Sequence, residues 1–197
     1  RIRVRIASDL HDDVGASLTE VALQSDFLQA SKIDPEFKQS LEQIGKQCRK
    51  IVTSLDDIVW SIDARNDTVG DLTDRMQDYI LNVLEPKNFQ VRYDFEDLKM
   101  ENKLEVPVKE NLYLIFKEAV NNISKYSNGD KVDISMTTEN GDFKFQIHDN
   151  GTSGAGAKKT GHGLRNMVMR AKRINADIDV STKNGFTVLL SGKLNTN

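Results

Sequence analysis

The chain has 197 residues, room for one or two domains, and its 38% hydrophobic and 29% charged content is ordinary for a globular protein. No stretch approaches the ~20 consecutive apolar residues of a membrane-crossing helix. With 27 Lys and Arg against 30 Asp and Glu the net charge is −3, which gives no electrostatic ground for nucleic acid as a direct partner, and the lone Cys48 excludes an intrachain disulfide.

Glycine divides the chain. Only Gly15 and Gly45 fall in the first 69 residues, and the other ten lie between Gly70 and Gly192. Arg1 to Arg5 carries no cap and reads as the middle of a helix already under way, so the chain is expected to be a fragment. The first half is predicted helical. Ile6, Leu10, Val14, Leu18, Val21 and Leu28 form a loose apolar stripe that ends before a turn near Ser31 to Asp34. Asp34 is then placed to cap a second helix with Pro35 at its first position. Along that helix Phe37, Leu41, Ile44, Cys48, Ile51, Leu55, Ile58 and Ile62 alternate at four- and three-residue steps, an unbroken heptad seam that calls for a partner helix. A hairpin of two such helices buries its second apolar flank most economically against another copy, as a dimeric four-helix bundle.

The second half mixes elements. Helical patterns are predicted from Gly70 to Glu85, from Pro107 through Ile123, and from Leu164 to Ile174. Strands are predicted at Phe89 to Phe95, Val132 to Thr138, Phe143 to His148, Ile178 to Ser181 and Phe186 to Ser191, with hairpin turns at Glu139 to Asp142 and Lys183 to Gly185. That order predicts an α+β sandwich with one layer of helices on an antiparallel-rich sheet. Ala64 to Gly70 is expected to be the hinge between the halves.

Three clusters could carry chemistry. In Leu10-His11-Asp12-Asp13-Val14-Gly15, His11 lies about 100° of helix rotation from Leu10 and so on the bundle flank. An imidazole beside a carboxylate can act as an activated nucleophile; a surface histidine in a charged helix is the plainer alternative. Glu118, Asn122 and Lys125 stand at i, i+4 and i+7, so a carboxylate, an amide and an ammonium share one helix face. Those groups suit Mg²⁺ and phosphate, or simply a solvated face. Gly151, Gly154, Gly156, Gly161 and Gly163 fall within thirteen residues, alongside Lys158 and Lys159. That loop is either flexible or built to close over a ligand, with Gly161-His162-Gly163 opening a helix whose N-terminus can face an anion. Cys48, Trp60 and His148 are read as packing or structural residues.

Taken together, these segments resemble the catalytic core of a sensor histidine kinase over essentially the whole chain. Arg5 to Gly15 is similar to the H-box of the subfamily in which an acidic residue follows the phosphorylated histidine. Glu118-Ala119-Val120-Asn121-Asn122 with Lys125 resembles the N-box, Asp149-Asn150-Gly151 the first glycine box, and Gly161 to Met167 with Arg170 the second. The resemblance implies a dimerisation and phosphotransfer hairpin over residues 1–65. It also implies an ATP-binding domain over residues 66–197, of the Bergerat type shared with gyrase, heat-shock protein 90 and mismatch-repair ATPases. It further implies autophosphorylation of His11 from ATP and Mg²⁺, with transfer to an aspartate of a response-regulator receiver domain. In these roles Asp12 takes a proton from His11, Asn122 and Glu118 serve the metal, Lys125 contacts phosphate and Asp149 reads adenine. Gly151, Gly161 and Gly163 let the backbone approach the nucleotide. The expected setting is the cytoplasmic segment of a longer membrane-anchored bacterial sensor. Departures from the family pattern are Ala16, where Gln or a similar polar residue is common, Tyr126 in place of His, and Ser153 within the first glycine box. Another ATPase or Ser/Thr kinase of the same superfamily, and a dimeric scaffold, are the competing readings.

Overall fold

The computed structural model describes residues 6, 10–30, 34–95, 98–152 and 162–194. The chain forms two compact units, Arg1–Asn66 and Asp67–Asn197.

In the first unit a π-helical turn, Leu10–Gly15, leads into helix α1, Ala16–Gln29, and helix α2, Pro35–Ile62, follows it. Asp34 caps α2 as its sequence predicts: the carboxylate accepts the Glu36 N–H at 3.0 Å and Pro35 opens the helix. Gly15 lies beside Leu55 while the Ser25 hydroxyl donates to the Leu41 carbonyl, so the two helices run antiparallel, and Arg49 pairs with Asp26 at 2.9 Å.

Two features differ from the sequence expectation. The α2 seam splits into two heptad rows: Leu41, Cys48, Leu55 and Ile62 are buried or half-buried, whereas Phe37, Ile44, Ile51 and Ile58 are exposed. Across the π turn and α1 the buried positions are Gly15, Ala22 and Ser25, and Val14, Val21 and Leu28 from the predicted stripe face outward. Small residues let the helices approach closely, and the larger apolar residues are left for another surface. The second difference is the π turn around His11, which replaces the regular helix from which its 100° offset was reckoned. Just beyond it, the Ser17 and Thr19 hydroxyls donate to the carbonyls of Asp13 (2.7 Å) and Gly15 (2.8 Å), side-chain bonds that compete with the regular ladder.

The second unit contains α3 (Val69–Val83), β1 (Gln90–Asp94), α4 (Val106–Tyr126), β2 (Lys131–Glu139), β3 (Asp142–Asp149), α5 (His162–Arg173), β4 (Asp177–Ser181) and β5 (Thr187–Lys193). The strands form one sheet in the order β1-β2-β3-β5-β4, parallel between β1 and β2 and antiparallel elsewhere. This is the expected α+β sandwich. Alternate residues Val132, Ile134 and Met136 of β2, Phe143, Phe145 and Ile147 of β3, and Val188 and Leu190 of β5 are buried. They form the core with Val108, Leu112, Ile115, Phe116, Ala119 and Ile123 of α4. The β2–β3 hairpin turns through Asn140 and Gly141, both at positive φ.

Part of the segment expected to act as a hinge is tied down by hydrogen bonds. Val69 and Gly70 donate backbone bonds to Asn102 and Met100, both at 2.9 Å, and the Asp67 carbonyl accepts from Leu104 at 2.8 Å. Thr68 and Asp71 complete a capping box at the start of α3. Residues 67–70 are therefore part of the second unit, and Ala64–Asn66 forms a 3₁₀ turn.

Candidate functional site

Asp149 ends β3 on its core-facing row, two residues beyond Ile147, where an apolar side chain is the norm. Asp149 is 1% exposed, and its carboxylate meets three donors: Oδ1 accepts the Ser127 hydroxyl at 2.7 Å and the Gly151 N–H at 2.6 Å, and Oδ2 accepts the Phe186 N–H at 3.0 Å. Beside it a small pocket is lined by Asn122 and Tyr126 of α4, Ser127, Gly151, Thr182, Gly185 and Phe186. Two of the predicted polar residues, Asn122 and Asp149, thus meet there although 27 positions apart in sequence, together with Gly151.

Glu118, one turn before Asn122, is half-buried and abuts Gly163 near the start of α5. A Cβ at Gly163 would lie 2.8 Å from Glu118 Cδ and overlap its carboxylate oxygen, so close approach demands glycine here. Gly151 is constrained in the same manner, since a Cβ there would lie 2.6 Å from Asp149 Oδ1 and 2.7 Å from Ser127 Oγ. Lys125 is exposed in the last turn of α4 and does not line the pocket. Arg170 of α5 is half-buried; burial lowers its pKa from the ordinary guanidinium value, and Glu110 and Glu118 oppose that shift. Gly161, with Ser153, Gly154, Gly156, Lys158 and Lys159, lies outside the described residues. His11 and Asp12 belong to the π-helical turn of the first unit.

The sequence did not single out Ser127, Thr182 or Phe186. Ser127 stands directly after the helix that carries Glu118 and Asn122, a position that could have drawn notice, but the Phe186 contribution is a backbone N–H and leaves no mark in residue type. Cys48 is buried in the hairpin, and His148 Nδ1 lies 2.8 Å from Thr187 Oγ1 on the neighbouring strand, both structural as expected.

Comparison with known proteins extends this picture. Residues 3–67 match a family model described as histidine kinase. The chain is 29% identical over 192 residues to the sensor histidine kinase YvfT of Bacillus subtilis, covering 96% of the chain and 49% of that protein. It is 23% identical over 180 residues to the sensor protein VraS of Staphylococcus aureus, covering 90% and 51%. The chain resembles a sensor histidine kinase core. This kinase-like chain spans about half the length of the curated relatives it matches. Among solved structures, the histidine kinase domain of a blue-light activated histidine kinase from Erythrobacter litoralis superposes with a TM-score of 0.59 at 13% identity, covering 91% of this chain and 94% of that one. Full-length ShkA in complex with AMPPNP superposes with a TM-score of 0.57 at 14% identity, covering 95% and 45%. Those two likenesses show the fold: a helical unit followed by a mixed sheet with helices on one face.

Proposed function

We propose that the chain binds ATP in its second unit, transfers the γ-phosphoryl group to His11 in its first, and passes it to an aspartate of a response-regulator receiver domain. The observation that carries this reading is Asp149, a buried carboxylate held by three donors beside Asn122, in a chain whose His11-Asp12 pair lies within the segment matching the histidine kinase family. A neighbour of the same fold was solved with AMPPNP, which supports ATP as the nucleotide.

Phosphoryl transfer asks of a protein mainly positioning and charge neutralisation. Asp149 is an acceptor with one lone-pair direction beyond its three donors, suited to the amino group of adenine. Gly163 lies in the first turn of α5, whose N-terminus can face the phosphates, and Lys125 adds an ammonium. Glu118 and Asn122, one turn apart on α4, offer the hard oxygen donors that Mg²⁺ prefers, leaving further positions to phosphate and water. No group of three His, Cys, Asp or Glu among the described residues forms a metal cage, in keeping with an ion shared with the nucleotide. When bound, the ion neutralises charge on the phosphates. Asp12 takes the proton from the His11 nitrogen remote from attack. The other nitrogen forms the P–N bond as the bond from the γ-phosphorus to the bridging oxygen breaks, and ADP leaves with that electron pair.

In this reading residues 1–65 are the phosphotransfer hairpin and residues 66–197 the ATP-binding domain. The exposed heptad row Phe37, Ile44, Ile51 and Ile58 supports pairing of two hairpins in a homodimer. No described helix is long and apolar enough to cross a membrane, and the chain is taken as the cytoplasmic segment of a longer sensor. The test is the chemistry of the product formed with γ-labelled ATP and Mg²⁺. Label that is lost in acid, retained in base and transferable to a receiver domain supports the reading; acid-stable label overturns it.

A further inference from the structure

The Asp149 carboxylate is oriented by a residue outside the four motifs. Ser127 caps the C-terminus of α4, and its hydroxyl accepts the Gly129 N–H at 3.0 Å while donating to Asp149 Oδ1 at 2.7 Å. The loop that carries Ser127 is itself fastened to the segment after β3. Asn150 Oδ1 accepts the N–H groups of Asp130 (3.0 Å) and Lys131 (2.9 Å), and Asn128 and Thr152 exchange bonds of 3.1 and 2.9 Å. The Ser127 oxygen therefore has a fixed place, and its hydrogen is directed to Oδ1.

A carboxylate has about four lone-pair positions. Ser127 and Gly151 occupy those of Oδ1, and Phe186 occupies one on Oδ2. Among the described residues this leaves one acceptor position on Oδ2 for a ligand. We propose that Ser127 is a specificity-determining residue of the nucleotide site: its hydroxyl fixes the Asp149 carboxylate so that the pocket accepts a purine bearing an amino group and rejects one bearing a carbonyl at the same place. This rests on the reading of the second unit as a nucleotide-binding domain. Ser127 acts through Asp149, as a positioning residue. Without the hydroxyl, Oδ1 keeps a single donor, the carboxyl plane can rotate, and the remaining acceptor no longer has one direction. A guanine carbonyl facing the fixed carboxylate sets two acceptors against each other with no hydrogen between them, a penalty that a rotating carboxyl group relieves.

The test compares Ser127→Thr with Ser127→Val in the full chain, a pair of nearly equal shape that differs by the hydroxyl. Dissociation constants for Mg²⁺-ATP and Mg²⁺-GTP are measured by calorimetry. The wild type and the Thr variant are expected to share one preference for ATP, and the Val variant to lose about tenfold of it, the size of one hydrogen bond to a charged group. Equal preferences in the Thr and Val variants overturn the role of Ser127. A wild type that binds ATP no better than GTP overturns the adenine reading of Asp149 and this inference with it. If circular dichroism shows that the Val variant does not fold, Ser127→Ala supplies the variant without a hydroxyl and is held to the same criterion.

Discussion

The ammonium of Lys109 is fully buried and lies 2.9 Å from the carboxylate of Asp67, at the first residue of the second unit. Taking the carboxylate away from a buried ammonium costs about 3 kcal/mol. Asp67→Ala is therefore expected to lower the melting temperature of this unit by about 10 °C. Lys109→Met removes the charge but keeps the aliphatic stem in its packing, and should cost clearly less. Thermal unfolding followed by circular dichroism checks both; a Met variant as unstable as the Ala variant would mean that the charges are not what matters.

Gly163 and Glu118 occupy space that only one of them can fill once a Cβ is added. Gly163→Ala should displace the Glu118 carboxylate and destabilise the α4–α5 packing by about 1–3 kcal/mol, as overpacking does. The double variant Gly163→Ala/Glu118→Ala should recover the stability but not phosphorylation activity, because in the proposed mechanism Glu118 is a donor to the metal ion. Denaturant titration paired with label incorporation separates the two effects.

The exposed row Phe37, Ile44, Ile51 and Ile58 repeats every seven residues along one side of α2. Buried in a second hairpin, Ile44 and Ile51 would contribute the core of the contact, so Ile44→Asp/Ile51→Asp would place unpaired carboxylates there. Sedimentation should show half the wild-type mass. Nucleotide affinity should be unchanged, since the row lies in the other unit.

Asp149→Asn exchanges an acceptor for a donor opposite Ser127, Gly151 or Phe186, each of which already donates. The amide leaves at least one buried donor unsatisfied and misdirects the remaining acceptor. ATP affinity should fall at least tenfold, measured by calorimetry.

How much of this was legible in the residues follows from what each feature depends on. The strands and helices of the second unit could be placed because their apolar periods are clean, and Asp34-Pro35 announced a helix start by its capping chemistry. The burial of the π turn and α1 could not be read from their large apolar residues: close packing of two helices selects Gly15, Ala22 and Ser25 for the interface, while Val14, Val21 and Leu28 are turned outward. The π turn at Leu10–Gly15 has no periodic signature, since a single inserted residue shifts every later position alike. In the site, Asn122 and Asp149 were identifiable as polar residues at chemically telling places. The way Asp149 is held was not, because the Gly151 and Phe186 contributions come from backbone N–H groups and the Ser127 contact spans 22 residues.

The central claim is that His11 receives phosphate from ATP bound in the second unit. Its most direct test is incorporation of label from γ-labelled ATP into the wild type and into His11→Gln, with nucleotide affinity measured on both. The Gln variant is expected to bind ATP as the wild type does and to take up no label; persistent labelling of that variant would rule out His11 as the acceptor.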